Sequence, residues 1–442
     1  MTRAWLFALC VGCSFHPGEG TMDSGMGSGS GSNPDSSTCT PGDTSCVGRD
    51  VRTCGADGTW DGTQDFGCEF TCANGACVAP SNIDLPTVAT CGAGAPVLDP
   101  GPTGTVTYQN NPGPQLSCSP ACGTTMTIAP TEVVGNEAWF CVSSINVQVG
   151  ATLVASASQV PTNAIGFIVD GSATIAGRIA LDGTNAIADG NPNNDGPATP
   201  AGPGGFPGAN QDDNNGKNGG GSGGGGGGAH KDCPGDNWVG AGGGGGGDFE
   251  IGANGGSALC SDNSNVAAGS PGALAYDAGL VPLVGGGGGG GGGDATGGGG
   301  YGWAGGGGGG AVQIAARLSI SIGGEISARG GNGYGGTTQI DGGGGGGAGG
   351  GVLLESPLVT IGGAVVVDGG NGGQGAAGAG GTGATGSHPA QPGAASASTM
   401  LGGAGGGGGG GIVQIRSVAA ACAAGVSPEM SCMIGMLAAS AD

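Results

Sequence analysis

Basic residues are nearly missing from this chain. Lysine and arginine together number nine among 442 residues, against 32 aspartates and glutamates, for a formal net charge of −23. A nucleic-acid binder needs a basic stripe that neutralises phosphates and releases counterions, and no stretch supplies one. An anionic membrane surface is disfavoured on the same ground. The acidity reads instead as solubility and resistance to self-association. Histidine is almost as scarce: His16, His230 and His388 are the three present, and no two stand at metal-ligand spacing. A nucleophile elbow of the form G-x-S-x-G before a helix is missing. The phosphate-loop pattern fails at its lysine, because Lys217 is followed by Asn218 rather than Ser or Thr. Aromatics make up 4 %, which leaves a core to be built from Val, Ile, Leu and Ala. Nor does any stretch reach the ~20 continuous apolar residues of a membrane-spanning helix.

Glycine is what the chain has in excess: 116 residues, where a globular chain has roughly 7 %. Glycine inside a strand costs roughly 0.5–1 kcal/mol relative to alanine, so this composition must be useful in some other way. A collagen triple helix is excluded because the glycines lack a strict three-residue period. Disordered linker fits poorly, since charge is only 9 % and the Val and Ile residues fall in short alternating bursts.

Sixteen cysteines place the chain in an oxidising compartment, where they staple small folds. The N-terminus agrees. Arg3 precedes the short apolar run Trp5 to Val11, and residues 1–13 close on Cys10-Val11-Gly12-Cys13, a signal segment ending in a lipobox-like stretch with Cys13 as the residue to be lipidated. Residues 14–38, with "MDSGMGSGSGSNPDSST", form a flexible Gly/Ser tether. Residues 39–80 hold Cys39, Cys46, Cys54, Cys68, Cys72 and Cys77. So short a segment needs disulfides to hold it together, and its fifteen connectivities stay open. Within it "VRTCGADGTW" reads as a hairpin turning at Gly55 to Gly58, with Trp60 packed on the cystines. Residues 81–142, with Cys91, Cys118, Cys122 and Cys141, read as a stapled, β-rich lead-in to the repeats. Residues 418–442 read as a C-terminal cap closed by Cys422 and Cys432, and Cys233 is expected to pair with Cys260 across a Gly-rich loop.

Between residues 143 and 417 two phrases recur. One is alternating: Phe249-Glu-Ile251, Val312-Gln-Ile314, Val352-Leu-Leu354 and Val413-Gln-Ile415. The other is "TIAGRIALDG" at 174–183, "SIGGEISARG" at 321–330 and "TIGGAVVVDG" at 360–369, so that Ile175, Ile322 and Ile361 correspond, as do Ile179, Ile326 and Val365. Apolar residues two apart share one face of a strand, and a unit unable to bury its own face stacks on its neighbours. The expected fold is therefore all-β: a Gly-rich parallel β-helix or solenoid with polyglycine excursions, preceded by the small disulfide-rich module. Ile326 should face the core, and Ser327 the solvent. Glycine runs at 223–228, 242–247, 285–293, 305–310, 342–347 and 405–411 allow two readings. They are flexible loops, or they are polyproline-II segments laid side by side, bonded through backbones that no side chain keeps apart.

No catalytic constellation emerges. The adjacent acidic pair Asp212-Asp213 sits in a polar loop, and Asp182 and Asp368 fall at equivalent ends of the repeat, where stacking makes a solvent-facing column rather than the convergent carboxylates of a glycosidase. A metal trio of His230, Asp232 and Cys233 competes with the disulfide that Cys233 is expected to form. Calcium is the best-motivated ligand, and a weak one. Asp189, Asn191, Asn193 and Asp195 stand two apart as in hard-cation loops, yet the closing Glu is replaced by Pro200, and turn formation accounts for the same residues. No other cofactor is implied.

The tether, the six-cysteine segment with "VRTCGADGTW" and the glycine-run repeats together resemble the Cys- and Gly-rich surface lipoproteins of myxobacteria and related soil bacteria. The resemblance implies location more than mechanism: a non-enzymatic outer-membrane lipoprotein facing the cell exterior, or a secreted protein, with a structural or adhesive role toward surfaces, glycans or neighbouring cells. The rivals are a secreted β-helix lyase or hydrolase and an ice- or mineral-binding protein. If Cys13 carries the lipid, Cys13→Ser should release the protein into the medium with its fold intact; retention of that variant in the membrane fraction would refute the anchor.

Overall fold

The computed structural model describes residues 38–435 apart from 48, 84–86, 89–90, 93, 111–112, 120–125, 156–162, 188–197, 211–214, 236, 276–279, 296–301, 337–339, 386–387, 418, 421–425 and 428–431. The chain is almost wholly β, with parallel and mixed sheets and with disulfides concentrated toward its N-terminal side.

Residues 39–80 are held by Cys39–Cys54, Cys46–Cys72 and Cys68–Cys77. The strands Asp50–Cys54 and Trp60–Gly67 pair antiparallel across the turn at Gly55 to Gly58, as the sequence suggested. The Arg52 guanidinium lies 4.7 Å from the Trp60 ring centroid. Cys91 bonds Cys141, Cys233 bonds Cys260, and Cys118 is disulfide-bonded as well. Cys13, Cys122 and Cys422 lie outside the described residues, and of Cys432 only the backbone is described, in the strand Cys432–Gly435.

Three sheets stack side by side, and each pass of the chain adds one strand to each. Ala164–Val169, Ala311–Ala316, Gly351–Glu355 and Ile412–Arg416 join the first sheet in parallel register. Ser172–Ile175, Ser319–Ile322 and Leu358–Ile361 join the second, and Arg178–Ala180, Glu325–Ser327 and Ala364–Val366 the third. Ile175 pairs with Ile322 and Ile322 with Ile361; Ile179 pairs with Ile326 and Ile326 with Val365. The correspondences in the repeat are thus the physical register. Strands Val97–Leu98, Thr105–Gln109 and Glu137–Val142 belong to the same sheets, so the stack begins before residue 143, and Ala419–Ala420, Val426–Ser427 and Cys432–Gly435 continue it after 417. Inward-facing Val, Ile, Leu and Phe side chains from all three sheets form one continuous core.

Two expectations are corrected. Phe249 to Ile251 form no strand, and Ile251 is 55 % exposed. Phe249 packs instead against the cluster that includes Ala311, Leu353 and Ile412 of the first sheet, and the Glu250 amide donates to Gly410. The true counterpart is Ala164–Val169, where Ile165 pairs with Val312 and Phe167 with Ile314. Ser327 is buried rather than solvent-facing. Its hydroxyl donates to Asp182 at 3.0 Å and accepts from Arg178 at 3.1 Å, both from the preceding pass, which closes over it.

The glycine runs are ordered. In 242–247, Gly242, Gly243 and Gly244 donate to Gly256, Gly343 and Gly226, and three residues on, Gly245, Gly246 and Gly247 donate to Ala253, Gly346 and Gly223. The carbonyls of Gly242, Gly243 and Gly244 accept from Gly269, Gly406 and Gly290. A three-residue repeat is the turn of a polyproline-II helix, and these partners lie on six different neighbouring segments. Runs 285–293, 305–310, 342–347 and 405–411 are bonded in the same manner, to one another and to the segments around them. The result is a hexagonal lattice of extended backbones.

None of these runs contains a glycine at positive φ. Glycine is required for space: a Cβ on Gly308, for instance, would fall under 3.0 Å from the Gly286 carbonyl. At the margin of the lattice a side chain reappears every third residue, where one ray points outward. Asp368, Asn371 and Gln374 alternate with Gly369, Gly370, Gly372 and Gly373. Runs 305–310, 342–347 and 405–411 then lead into strands of the first sheet, and the bonding continues without a break from Gly351 to Gly310 and from Ile412 to Gly350.

Gly308→Val should therefore lower stability by about 1–3 kcal/mol or more through overpacking, read as a drop in urea midpoint. Gly323→Ala, at a bend with nothing within 4 Å of the added Cβ, should change it little; equal tolerance of both would return the runs to flexible linker.

Candidate functional site

Three places gather chemically capable side chains. The first is a cleft of about 530 Å³ where the disulfide-rich module meets the first sheet, lined by Arg49, Cys68, Glu69, Cys91, Asp170 and Arg317 among others. Arg317 follows directly on the strand Ala311–Ala316 and is 3 % exposed. Its guanidinium donates to the carbonyls of Cys91 and Val88 at 3.0 Å each and of Glu69 at 2.6 Å, and pairs with Asp170. Burial lowers its pKa from the ordinary arginine value, repulsion from Arg49 adds to this, and Asp170 opposes both. Arg49 spends its own Nη2 on the carbonyls of Cys68 and Glu69. A guanidinium offers five donors in a fixed fork, and here most are committed to the protein's own carbonyls. The cleft is a clamp that seats the module on the sheet, with Phe70, Val78, Val88, Trp139 and Ile168 packed beside it.

The second place is the end of the third sheet, where the chain passes into the lattice. Asp182 accepts from Arg178 Nη2 at 2.9 Å, from Ser327 and from the Arg329 amide at 2.9 Å, and Arg329 pairs with Glu325 at 2.8 Å. Asp182, Arg329 and Asp368 stack at successive repeat ends through the bonds from Gly183 to Arg329 and from Gly330 to Asp368, and the Asp182 carboxylate is bound to Arg178. Beside it runs a ladder the sequence reading missed: the Asn332 amide donates to the Asn185 side chain, Asn371 to Asn332, and Gly383 to Asn371. The signal was there, since Asn185, Asn332 and Asn371 each stand two residues beyond the glycine that ends the repeated phrase.

The third place is the far end of the lattice. The hairpin His230–Cys233 with Asn237–Gly240 sets His230 and Trp238 in edge-to-face contact, ring centroids 5.0 Å apart. Cys233 on its other face is bonded to Cys260, which removes that sulfur from metal ligation and ties the hairpin to the neighbouring Ala258–Leu259 and Asn265–Val266. Next to it, Trp303 and Tyr334 tilt together at 5.0 Å, and the Trp303 ring rests on Gly336. The backbones link the two pairs: Gly293 donates to Ala241, Gly342 to Gly293, Gly292 to Trp303 and Trp303 to Gly342. All four rings are half-buried. Asp294 and Asp341 border this end, each joined to a glycine run. Sequence reasoning saw His230 and Asp232 only as metal candidates, because nothing in the linear order brings residues 238, 303 and 334 together.

Asp189, Asn191, Asn193 and Asp195, the calcium candidates, lie outside the described residues, as do Asp212 and Asp213. Among the described residues no three His, Cys, Asp or Glu side chains are grouped to hold a metal. No family model matches the chain, and neither a curated protein nor a solved structure shows detectable similarity to it.

One carboxyl stands apart from these three places. Asp248, at the sheet-side end of run 242–247, is fully buried with neither oxygen hydrogen-bonded among the described residues, and burial pushes its pKa well above the ordinary aspartate value. Above ~3.9 the unfolded chain has lost this proton while the folded chain keeps it. The folded state then binds more protons, so stability falls as pH rises toward the raised pKa, by up to ~1.4 kcal/mol per unit for one group. Asp248→Asn should remove that slope; urea midpoints that decline in parallel for both proteins between about pH 5 and about pH 8 would refute it.

Proposed function

We propose that this chain is an exported surface protein with a structural or adhesive role, anchored through Cys13. Its three sheets are the faces of a β-solenoid whose rungs are the successive passes of the chain, and its glycine lattice is a stiff arm that carries a cluster of loops away from them. The resemblance to myxobacterial surface lipoproteins, drawn from the tether, the six-cysteine segment and the glycine-run repeats, leads to the same reading.

One observation carries it. A large share of the residues is committed to a backbone-only lattice whose one end is continuous with the sheets and whose other end bears disulfide-tied hairpins and aromatic rings. Such a body is rigid because every segment is fixed by hydrogen bonds in several directions, and it offers almost no side chains along its length with which to do chemistry. Its use is to hold one end at a distance from the other. Disulfides at Cys39–Cys54, Cys46–Cys72, Cys68–Cys77, Cys91–Cys141 and Cys233–Cys260 fit an oxidising, extracellular environment. No described helix is long and apolar enough to cross a membrane, and a lipid on Cys13 is the attachment that the sequence offers.

Surface labelling tests this reading. On intact cells a membrane-impermeant amine reagent should label Lys217 or Lys231, both beyond the sheets, and extracellular protease should remove the arm. A chain that is labelled only after lysis would overturn the exported, outward-facing assignment.

A further inference from the structure

The far end of the lattice has a composition unlike the rest of the protein. The whole chain contains five tryptophans, four tyrosines and eight phenylalanines. Phe140, Phe167, Tyr108 and Trp139 are buried in or against the sheet stack. Trp238, Trp303, Tyr334 and His230 are instead half-buried at the far end of the lattice, the first and last on a hairpin and the other two on extended segments, outside the core of the sheets. A half-buried aromatic ring there leaves apolar area in water that a short polar residue would not. Polar groups stand near the rings: Asp232 is exposed, and Lys231 is held at 2.8 Å by Ser264, while Asp294 and Asp341 are buried beneath this end. Asp262 accepts from the same serine hydroxyl.

Resting on the surface-protein reading above, we propose that this end is a carbohydrate-binding face for neutral glycans, with Trp238 and Trp303 as its stacking platforms. A pyranose ring has one face of C–H groups and a rim of hydroxyls. Its apolar face packs on an indole, whose π-face carries negative charge that favours the C–H dipoles. Its hydroxyls donate to carboxylates and amides placed around the ring, the usual arrangement of a few polar groups within an aromatic lining. Charge selects among glycans. The lysines at this end, Lys217 and Lys231, are matched by the exposed Asp232 and Asp262, within a chain of net charge −23, so uronate and sulfated chains meet an overall repulsive field. Preorganisation is built in. The Cys233–Cys260 bond fixes the hairpin under Trp238, and Trp303 is pinned through its backbone bonds to Gly292 and Gly342. Little side-chain and loop entropy is then left to lose on binding.

The test uses the full-length exported protein with cellohexaose, chitohexaose and mannohexaose as neutral probes and oligogalacturonate as the acidic one, followed by calorimetry and tryptophan fluorescence. At least one neutral probe should bind with a Kd in the micromolar to millimolar range and perturb the emission, while oligogalacturonate does neither. Trp238→Ala should weaken that binding at least ten-fold without moving the melting temperature, and Trp60→Ala, on the disulfide-rich module, should leave it unchanged. Trp303 supports Gly336 and Tyr334, so Trp303→Ala is paired with Trp303→Phe, which keeps a stacking face and should retain most of the binding. Silence with all three neutral probes, binding unaffected by Trp238→Ala, or preference for the acidic probe would each overturn the proposal. A chain displayed on cells yet blind to these glycans would overturn the glycan face alone. A chain retained inside cells would overturn the surface reading, whatever it binds in solution.

Discussion

Two extended backbones can lie side by side and exchange hydrogen bonds on every face only where no Cβ holds them apart. Collagen meets that condition at one residue in three; the runs 242–247, 285–293, 305–310, 342–347 and 405–411 meet it at nearly every residue, because other backbones crowd almost all of their Cβ positions. Buried N–H and C=O groups must find partners, and here each turn of three residues sends its amides to three different neighbours. The entropy lost by ordering so many glycines is large, and a dense, mutually supporting set of bonds offsets it. Removing the space for one segment therefore disturbs several.

The sheet stack makes that lattice achievable. Isolated glycine segments have no apolar face with which to choose a register. Here each run 305–310, 342–347 and 405–411 is delivered by the chain directly into a strand whose inward Val, Ile and Leu residues fix its height in the stack. The spacing between adjacent strands is thereby imposed on the glycine segments that precede them. Parallel in-register pairing of Ile175, Ile322 and Ile361 sets one edge of the lattice, and the asparagine ladder through Asn185, Asn332 and Asn371 carries that register past the last strand.

Burial of charge marks the joints. Arg317 and Asp170 fasten the disulfide-rich module to the first sheet, and Glu355, buried beside Arg416 and Gln313, accepts from the amide and hydroxyl of Ser81 in the chain leading away from that module. Desolvation raises the Glu355 pKa, while Ser81, Arg416 and Gln313 oppose the rise. Such pairs add little net stability where apolar residues would fit equally well, but losing one partner strands the other in low dielectric. Their effect is to make one docking arrangement of module and sheets the acceptable one.

Much of this was legible in the sequence by itself. Oxidising context followed from the cysteine count, and strand register from the repeated phrases, because a one-residue slip would turn Ile179, Ile326 and Val365 out of the core and the glycine-containing break at 176–177, 323–324 and 362–363 pins the alignment. The glycine runs were visible too, though not which of two fates they met: a run of glycines carries no pattern, and its order depends on neighbours 160 or more residues away, as in the bonds from Gly410 to Glu250 and from Gly406 to Gly243. For the same reason the tertiary structure alone decided that Phe249 to Ile251 is no rung, that Ser327 is covered by Arg178 and Asp182 from the preceding pass, and how the six cysteines of the first module pair. It also decided that Trp238, Trp303 and Tyr334 meet at one end. The glycine segments between them fix where each aromatic emerges, and segments without side chains leave no trace of that placement in the linear order.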